Sequence, residues 1–464
     1  MMQSFTAMPS ARDIARAVAA GELTATDVTR AALDRIAASD GQIRAFTDVF
    51  PARALATAQA IDAHRSRGLP LPPLAGVPYA VKNLFDVEGQ RTLAGAHIES
   101  DSAPALADAA LVQRMDAAGA VLVGALNMDE YAYGFSTENT HFGPTHNPHD
   151  LARSAGGSSG GCAAAVAAGL VPLTLGSDTN GSIRVPSSLC GTFGLKPTFG
   201  RLPRTGSYPF VYSLDHLGPF ARSVGDLALC YDALQGPDPA DRHCAQRPPE
   251  PSVPGLAGPL PRLRVGILGG YFERYSGPDA RWAVGQAATV LEARTQLTVA
   301  LAEAGRAAAF VTTGCEGGQL HLEHLRLRYD DMEPLSRDRL LAGALMPASW
   351  YQRAQRVRAL YRAEFLQLFR DYDVLITAAT PVVAPELGTE WMELDGQRLS
   401  SRASMGLLTQ PISCIGLPVV AAPLMTPGGL PIAVQLIAPP WREDLALIAA
   451  AWLEQAGVTL RQPV

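Results

Sequence analysis

The chain has 464 residues, of which 47% are hydrophobic and 18% are charged, and its formal net charge is −6. This composition supplies ample material for a core, and the lack of any basic block argues against a nucleic-acid-binding surface. No apolar run approaches the roughly 20 residues that span a bilayer, and the N-terminus lacks the pattern of a signal peptide. The six cysteines show no C-x-x-C spacing. We therefore expect a cytoplasmic protein with free thiols, no metal site and no membrane contact.

Helices and strands alternate in the first third of the chain. Ser10 and Asp13 resemble a capping box, Gly21 suits the end of the same helix, and Thr26 can cap the next one. Apolar runs predict strands between the helices, one of which ends at Lys82. The predicted elements are helices over 10–20, 26–38 and 105–118 and strands over 77–82 and 120–125. This alternation is typical of an α/β sheet.

A proline-rich polar segment over 235–262 predicts a long surface loop or connector. The sequence beyond it again alternates apolar strands with helices, and the helical region is rich in arginine. The predicted elements there are a strand over 263–270, an alanine-rich helix, mostly helix over 320–370, strands over 373–380, 418–425 and 431–439, and an amphipathic helix over 442–456. No internal repeat or low-complexity segment interrupts this order.

Two glycine-rich turns that carry serine flank an alanine-rich helix and a short apolar strand between Gly156 and Ser182. The second turn, 176–182, follows the strand V-P-L-T-L and ends in Ser182. Free backbone amides beside an exposed serine can form an oxyanion hole, commonly about 3 kcal/mol per donor. The alternative for this turn taken alone is an ordinary connection from a strand to a loop.

The first turn contains Ser158 in the pattern G-x-S-x-G, which matches the nucleophile elbow of α/β-hydrolases. That motif requires a strand directly before it, whereas residues 146–155 are predicted to be a loop. The elbow interpretation therefore fails on its context. A phosphate-binding loop is also excluded, because no G-K-[ST] follows the glycines.

A serine nucleophile needs a base, and histidines are the first candidates. His141, His146 and His149 lie in a loop rich in proline, asparagine and glycine, for which we predict a solvated or structural role. His321 and His324 are three residues apart on a predicted helix without the carboxylate motif of a zinc protease, so we expect them on an exposed face.

Lys82 is the other candidate base, because it ends an apolar strand. Burial lowers the pKa of a lysine and makes the neutral amine available as a base. The alternative is a lysine at a strand end that extends its ammonium to water.

Three motifs together resemble the amidase signature family: A-V-K-N, G-G-S-S-G-G and D-T-N-G-S-I-R-V-P-S-S-L-C-G-T-F-G-L-K-P-T. Weaker similarity extends to N-M-D-E-Y-A-Y-G and to G-L-P-I-A-V-Q-L-I-A-P. The resemblance implies one α/β domain over 1–464 with the amidase signature fold, a large mixed β-sheet sandwiched by helices. Its signature core would span about 77–227, and the proline-rich connector about 235–262.

The resemblance also implies an amide hydrolase with a Ser–Ser–Lys triad and no metal or organic cofactor. Residue by residue, Ser182 matches the nucleophile, Ser158 matches the bridging serine after a cis peptide bond, and Lys82 matches the base. The backbone amides that match the oxyanion hole are those of Thr179, Asn180, Gly181 and Ser182.

Two positions depart from the family pattern. Asn180 stands where glycine is usual, and Asn83 stands where aspartate is common after the lysine. Asparagine tolerates positive φ, so the turn can be kept, and its carboxamide can contact a small polar substrate. The missing acid at position 83 weakens the argument that a neighbouring carboxylate tunes Lys82. Tyr133 falls where the family has pocket walls, which makes it a candidate substrate-binding residue.

The D-T-N-G-S-I-R-V-P variant and the chain length are most similar to the 1-carboxybiuret hydrolases of bacterial cyanuric acid breakdown. This likeness implies deamination of 1-carboxybiuret to 1,3-dicarboxyurea and ammonia, homodimerisation and a small helical protein partner. Arginine pairs with carboxylates bidentately, so Arg204 is a candidate for binding the substrate, as are Arg326, Arg328 and Arg402. Surface ion pairs are the alternative role for each of these arginines.

Other functions stay open at this point. The glutaminase component of a tRNA-dependent amidotransferase, its A subunit, uses the same triad, although Asn180 in place of glycine argues mildly against it. Allophanate hydrolases often carry an extra C-terminal domain that this sequence lacks. A non-catalytic scaffold would have no reason to retain Lys82, Ser158 and Ser182 together.

Overall fold

The computed structural model describes residues 9–460. Within them the β-strands are β1 (Phe46–Val49), β2 (Pro78–Lys82), β3 (Val121–Leu126), β4 (Glu138–Asn139), β5 (Gly143–Pro144), β6 (His146–Asn147), β7 (Asp150–Ser154), β8 (Leu173–Asp178), β9 (Phe193–Lys196), β10 (His216–Ala221), β11 (Val265–Leu268), β12 (Thr295–Leu297), β13 (Val374–Ala378), β14 (Trp391–Leu394), β15 (Gln397–Ser400), β16 (Val419–Met425) and β17 (Pro431–Ile437).

The α-helices of the same residues are α1 (Ala11–Ala20), α2 (Ala25–Ile43), α3 (Pro51–Ser66), α4 (Ala110–Ala117), α5 (Gly160–Ala167), α6 (Arg184–Cys190), α7 (Val224–Leu234), α8 (Tyr271–Arg274), α9 (Pro278–Val290), α10 (Ala302–Leu320), α11 (Leu322–Leu327), α12 (Arg337–Ala344), α13 (Ala348–Gln367), α14 (Ser401–Ser404), α15 (Gln410–Cys414) and α16 (Glu443–Gln455). In this part of the chain, no helix is both long and apolar enough to cross a bilayer.

One mixed sheet of 11 strands organises the described residues, in the order β1-β3-β2-β8-β10-β9-β16-β17-β13-β11-β12. Strand β2 pairs in parallel with both β3 and β8, and β11 pairs in parallel with β12 and β13, whereas the other ladders are antiparallel. Three further pairs, β4–β5, β6–β7 and β14–β15, form separate two-stranded ladders.

The central strands are buried along their whole length. Every residue of β2, β3, β8, β10 and β17 is buried. Because successive side chains of a strand point to opposite faces, both faces of the sheet must be covered. Helices α5 and α6 pack on this sheet, as do α7, α9 and α16. The predicted α/β class, with a large mixed sheet sandwiched by helices, is therefore confirmed.

The first helix begins as predicted. The Ser10 hydroxyl accepts a hydrogen bond of 3.0 Å from the amide of Asp13, and Gly21 ends the helix with a φ of 78°. The cap predicted for the next helix was wrong. Thr24, which accepts from the Asp27 amide, caps α2, while the amide and hydroxyl of Thr26 donate to Asp62.

Three other boundaries differ from the prediction. The helix predicted over 105–118 is shorter, Ala110–Ala117, and α2 extends to Ile43. The segment 146–155, predicted to be a loop, contains β6 and β7, which pair with each other outside the main sheet. The connector 235–262 is irregular except for a 3₁₀ turn at Val253–Leu256, as its proline content predicts.

The parallel pairing of β2 with β8 brings Lys82 close to the turn that carries Ser182. Val81 is opposite Leu175, so Lys82 at the end of β2 lies beside the end of β8. The turn that carries Ser182 begins directly after β8 at Asp178. Carboxyl ends of parallel strands are the usual place for a site in an α/β sheet.

Candidate active site

Lys82 is completely buried at the end of β2. Its Nζ donates hydrogen bonds to the Oγ atoms of Ser158 at 2.7 Å and Ser177 at 2.9 Å. Burial, which disfavours the charged form, lowers the pKa of Lys82 to about 8. The alternative in which this lysine extends to water does not apply. A buried lysine with this pKa can accept a proton near neutral pH.

Ser158 lies in the first glycine turn, just before α5, and it is completely buried. The Gly157–Ser158 peptide bond is cis, as the family resemblance implies. A Cβ on Gly157 would overlap the carboxylate of Asp129, so a side chain does not fit there. The backbone thus aims the Ser158 hydroxyl at Lys82.

Asp178 shapes the second turn from inside. Its carboxylate accepts the amides of Gly181 at 2.7 Å and Ile183 at 3.1 Å, and two hydrogen bonds of 2.9 Å from the guanidinium of Arg184. Burial would raise the pKa of Asp178, but the charge and hydrogen bonds of Arg184 outweigh burial and hold this pKa well below its usual range. The ionised carboxylate therefore holds the turn in one conformation.

The turn uses its residues differently from the sequence-based expectation. Gly181 has a φ of 138°, and Asn180 does not adopt positive φ. The Gly181 amide is bonded to Asp178, so this donor, expected in the oxyanion hole, points elsewhere. The amides of Thr179, Asn180 and Ser182 have no hydrogen-bond acceptor within residues 9–460. These three amides are free to bind an oxyanion.

The Thr179 side chain fixes the other flank of this turn. Its Oγ1 donates a hydrogen bond of 2.6 Å to Asp215, whose second oxygen accepts the amides of Phe210 and Val211 at 2.9 Å each. The turn is thus held between two buried carboxylates, Asp178 and Asp215.

Ser182 lines a narrow cavity together with the residues of its own turn and with side chains from distant parts of the chain. Those that line it are Ala132, Tyr133, Gly134, Phe135, Thr179, Asn180, Phe210, Phe310, Thr313, Arg339, Ala403 and Gln410. A concave wall that combines aromatic side chains with polar groups is typical of a small-molecule site.

Asn180 presents an unused acceptor to this cavity. Its Nδ2 donates a hydrogen bond of 2.8 Å to Thr313 Oγ1, and its backbone carbonyl accepts one of 2.7 Å from Thr409 Oγ1. Its Oδ1 is buried and has no hydrogen-bond partner within the described residues. Because buried polar atoms are nearly always bonded, this oxygen is available to a donor on a substrate.

Arg339, on α12, lies at the same cavity and was not predicted from the sequence. Its guanidinium carbon is 3.8 Å from the ring centroid of Tyr133, which lines the cavity where the family resemblance placed it. Among residues 9–460, Arg339 has no carboxylate partner within 4.0 Å. It is therefore a cation without a carboxylate partner in the wall of the cavity that Ser182 lines.

The arginines proposed from the sequence lie elsewhere. Arg204 pairs with Asp241 at 3.3 Å and lines a second cavity formed with the connector. Arg402 pairs with Glu138 at 2.8 Å, and Arg328 pairs with Asp101 and Asp331 at 2.8 Å each. Arg326 is exposed on α11. Arg204, Arg328 and Arg402 thus form ion pairs, as the alternative predicted, although the Arg204 pair is largely buried rather than on the surface.

Known proteins are similar in sequence to this chain over most of its length. The family model described as Amidase matches residues 27–447. The chain belongs to the amidase family. It is 60% identical over 449 residues to the AtzE component of 1-carboxybiuret hydrolase from Pseudomonas sp. (strain ADP), covering 96% of this chain and 98% of that protein. It is 40% identical over 461 residues to the A subunit of glutamyl-tRNA(Gln) amidotransferase from Chloroflexus aggregans (strain MD-66 / DSM 9485), covering 93% of each.

Solved structures agree with this membership. A vestigial protein complex that reveals the evolutionary origins of an s-triazine catabolic enzyme contains a chain with a TM-score of 0.97 and 58% identity, which covers 98% of this chain and 100% of that one. The crystal structure of an amidase has a TM-score of 0.87 and 30% identity, covering 97% and 100%. This amidase is accordingly an amide hydrolase, and the sequence-based resemblance is confirmed.

The histidines of this amidase occupy structural positions. His146 Nδ1 is 2.6 Å from the Leu151 carbonyl and His149 Nε2 is 3.0 Å from that of Cys190, while His141 pairs with Glu130 at 3.3 Å. The expectation for His321 was wrong. It is buried against Tyr131, with ring centroids 3.9 Å apart, because it lies at the junction of α10 and α11, and burial lowers its pKa to about 3.

No cluster of three or more histidine, cysteine or acidic residues in residues 9–460 could hold a metal ion, and the six cysteines are free.

Sequence reasoning missed four residues of the candidate site: Ser177, Asp178, Thr313 and Arg339. Asp178 could have been found from the sequence, since it and Arg184, two opposite charges six residues apart, flank the turn. Thr313 and Arg339 had no such signal, because they reach the cavity through the packing of α10 and α12.

Proposed function

We propose that this amidase hydrolyses the terminal amide of a small, urea-like substrate that carries a carboxylate, and that this substrate is 1-carboxybiuret, converted to 1,3-dicarboxyurea and ammonia. The observation that carries the mechanism is the 2.7 Å hydrogen bond from buried Lys82 to Ser158, together with the position of Ser182 in the wall of a cavity. The choice of substrate is supported by 60% identity to a component of a 1-carboxybiuret hydrolase.

In the proposed acylation step, Ser182 Oγ attacks the carbonyl carbon of the amide. Ser158 Oγ accepts the proton from Ser182 and passes its own proton to the neutral Nζ of Lys82. The amides of Thr179, Asn180 and Ser182 bind the oxyanion, where preorganised donors in a dry site are most effective. The C–N bond then breaks, the relay returns the proton to the leaving nitrogen, and ammonia departs.

Deacylation uses the same groups. A water molecule donates a proton through Ser158 to Lys82 and attacks the carbonyl carbon of the acyl-enzyme. The bond to Ser182 Oγ breaks, and Ser182 recovers its proton through the relay. The new carboxylate, with the one already present, makes the product a dianion. The chain's own residues suffice for every proton transfer in this scheme.

The two ends of the substrate differ chemically, and the cavity offers a matching group for each. Arg339 can pair with the carboxylate, since a guanidinium that stacks on an aromatic ring but has no carboxylate partner favours an anion. Asn180 Oδ1 can accept a hydrogen bond from the terminal NH₂. A simple aliphatic amide satisfies only one of these groups and leaves the other desolvated, which favours the carboxylated substrate.

We further propose that the chain forms homodimers and works in a hetero-oligomer with a small helical protein. The support is the 58% identical chain, which was solved as part of a protein complex. Size-exclusion chromatography with light scattering, on the chain alone and co-expressed with a short helical open reading frame beside its gene, tests this. A monomer of unchanged mass in both samples would contradict the proposal.

Ammonia release from a substrate panel tests the function directly. We expect the highest kcat/KM for 1-carboxybiuret, lower values for biuret and allophanate, and the lowest for glutamine and acetamide. Ser182→Ala should abolish release, whereas Ser213→Ala, which alters a serine whose hydroxyl bonds Glu316, serves as the control that retains it. A preference for glutamine would favour the glutaminase component of an amidotransferase, to which the chain is 40% identical.

A further inference from the structure

Residues 129–137, called here the wall segment, form one side of the cavity that holds Ser182. Tyr133 and Phe135 of this segment line the cavity. Three of its non-glycine residues have positive φ: Tyr131 at 49°, Ala132 at 59° and Thr137 at 50°. Residues with a Cβ adopt this conformation only where surrounding contacts hold them in it.

The carboxylate of Asp129, the first residue of the segment, provides such contacts at its far end, where Thr137 lies. Its Oδ1 accepts the amide of Thr137 at 3.0 Å and its Oδ2 accepts that of Ser136 at 3.3 Å. Gly134 and Gly157 pack directly against this carboxylate, and a Cβ on either residue would overlap it. The wall segment is therefore folded around one acidic group.

The same segment touches the peptide that carries Ser158. The Asp129 amide donates to the Ser158 carbonyl at 3.2 Å. Thr137 Oγ1 contacts that carbonyl at 3.5 Å and accepts the amide of Gly160 at 3.0 Å. Any movement of the wall segment would thus displace Ser158 relative to Lys82.

We propose that Asp129 is a positioning residue whose ionised carboxylate ties the wall of the cavity to the peptide that carries Ser158. This inference rests on the proposed role of Ser158 as the proton relay. Asp129 does not touch the reacting atoms. It acts through Ser136 and Thr137, which it holds, and through the backbone of Ser158.

The electrostatic surroundings make this carboxylate sensitive to pH. Asp129 has no ion pair within 4.0 Å among residues 9–460. The charges that face it are Lys82 of β2 and Arg402 of α14, and Arg402 is itself paired with Glu138 at 2.8 Å. Burial raises the pKa of Asp129 to about 6, and Arg402 opposes part of this effect. The carboxylate is ionised above this pH, and its hold on the segment is lost as the pH falls through it.

The pH dependence of kcat/KM for ammonia release separates positioning by Asp129 from a general loss of stability. In the parent, the logarithm of kcat/KM should rise with a slope of about one between pH 6 and 8, where Lys82 loses its proton, and more steeply just below pH 6, where Asp129 also titrates. Asp129→Asn should lower kcat about tenfold at pH 8 and show a slope of about one throughout. Asp150→Asn, on the ladder β6–β7 where Asp150 pairs with Arg153 at 3.0 Å, should leave both slopes in place.

Two further variants test the proposal without altering Asp129, in case Asp129→Asn does not fold. Arg402→Met removes the facing cation and should move the change of slope above pH 6, whereas Glu138→Gln frees that cation and should move it below. The inference is overturned if the change of slope persists in Asp129→Asn. It is also overturned if the change of slope occurs at the parental pH in both Arg402→Met and Glu138→Gln. Ammonia release by Ser182→Ala or Lys82→Ala would instead overturn the proposed function, so the two failures are distinguishable.

Discussion

The Nζ atom of Lys82 and the Oγ atom of Ser158 are 2.7 Å apart, and both residues are completely shielded from water. A proton can pass between them directly. Lys82 Nζ also donates a hydrogen bond of 2.9 Å to the Oγ atom of Ser177, which lies in β8. We assign the proposed proton relay to the pair of Lys82 and Ser158, and we expect Ser177 to matter less for catalysis.

Replacing these serines should have unequal effects. Ser158→Ala removes the relay and should lower kcat by about 10²–10⁴-fold, whereas Ser177→Ala removes one hydrogen bond and should lower it by about tenfold or less. In the parent, kcat/KM should rise with pH and level off near pH 8, because Lys82 must be neutral. Steady-state ammonia release between pH 5 and 10 measures both effects. Equal losses in the two variants would contradict the relay assignment.

Lys82→Met should stabilise the protein while abolishing activity. Burial lowers the lysine pKa from 10.5 to about 8, which corresponds to about 3 kcal/mol of destabilisation wherever the lysine is charged in both states. The two serine hydroxyls lose a donor, so the net gain should be about 1–2 kcal/mol at pH 7.

The stability gained in Lys82→Met should shrink as the pH rises. The unfolded lysine holds its proton up to about pH 10.5 while the folded one releases it near pH 8, so the penalty is full below pH 8 and fades between these values. Urea unfolding of parent and variant at pH 7 and pH 10 measures it. A stability advantage that grows with pH would be inconsistent with a lysine buried as a neutral base.

Asn180→Gly should widen the range of substrates. It removes the unpartnered Oδ1 and the hydrogen bond to Thr313, so discrimination for a terminal NH₂ should fall. We expect kcat/KM for 1-carboxybiuret to fall about tenfold and that for N-methylacetamide, an amide without a terminal NH₂, to change little. Thr313→Val, which removes only the partner of Nδ2, should give a smaller loss. Competition between the two substrates measures the ratio, and an unchanged ratio would remove Asn180 from recognition.

Arg339→Gln should weaken binding of the carboxylated substrate. A charge-assisted pair of this kind is worth about 1.5–3 kcal/mol, so KM for 1-carboxybiuret should rise by about tenfold or more, with less change for biuret, which has no carboxylate. The matched control is Arg204→Gln, at the second cavity, where the guanidinium already pairs with Asp241. If Arg204→Gln raised KM more than Arg339→Gln, the assignment of the anion site would be reversed.

The triad residues could be proposed before any fold was known, because they occur in contiguous motifs whose spacing is itself informative. The helix that Ser10 caps and Gly21 ends could also be predicted, since a cap acts within one turn of chain. Errors arose where neighbouring residues offered equivalent local chemistry. Thr24 and Thr26 are both good caps, and only the competing bonds of Thr26 to Asp62, distant in sequence, decide between them.

The sequence by itself determined the α/β class and the family and led to the proposed serines and lysine of the site, because these depend on local periodicity and on motifs of a few residues. Only the tertiary structure decided which groups meet the substrate. Asn180 meets Thr313 across 133 positions of sequence, and Arg339 reaches Tyr133 from a helix in the second half of the chain. Such contacts arise from packing of whole elements on the sheet, and no local preference of either residue encodes them.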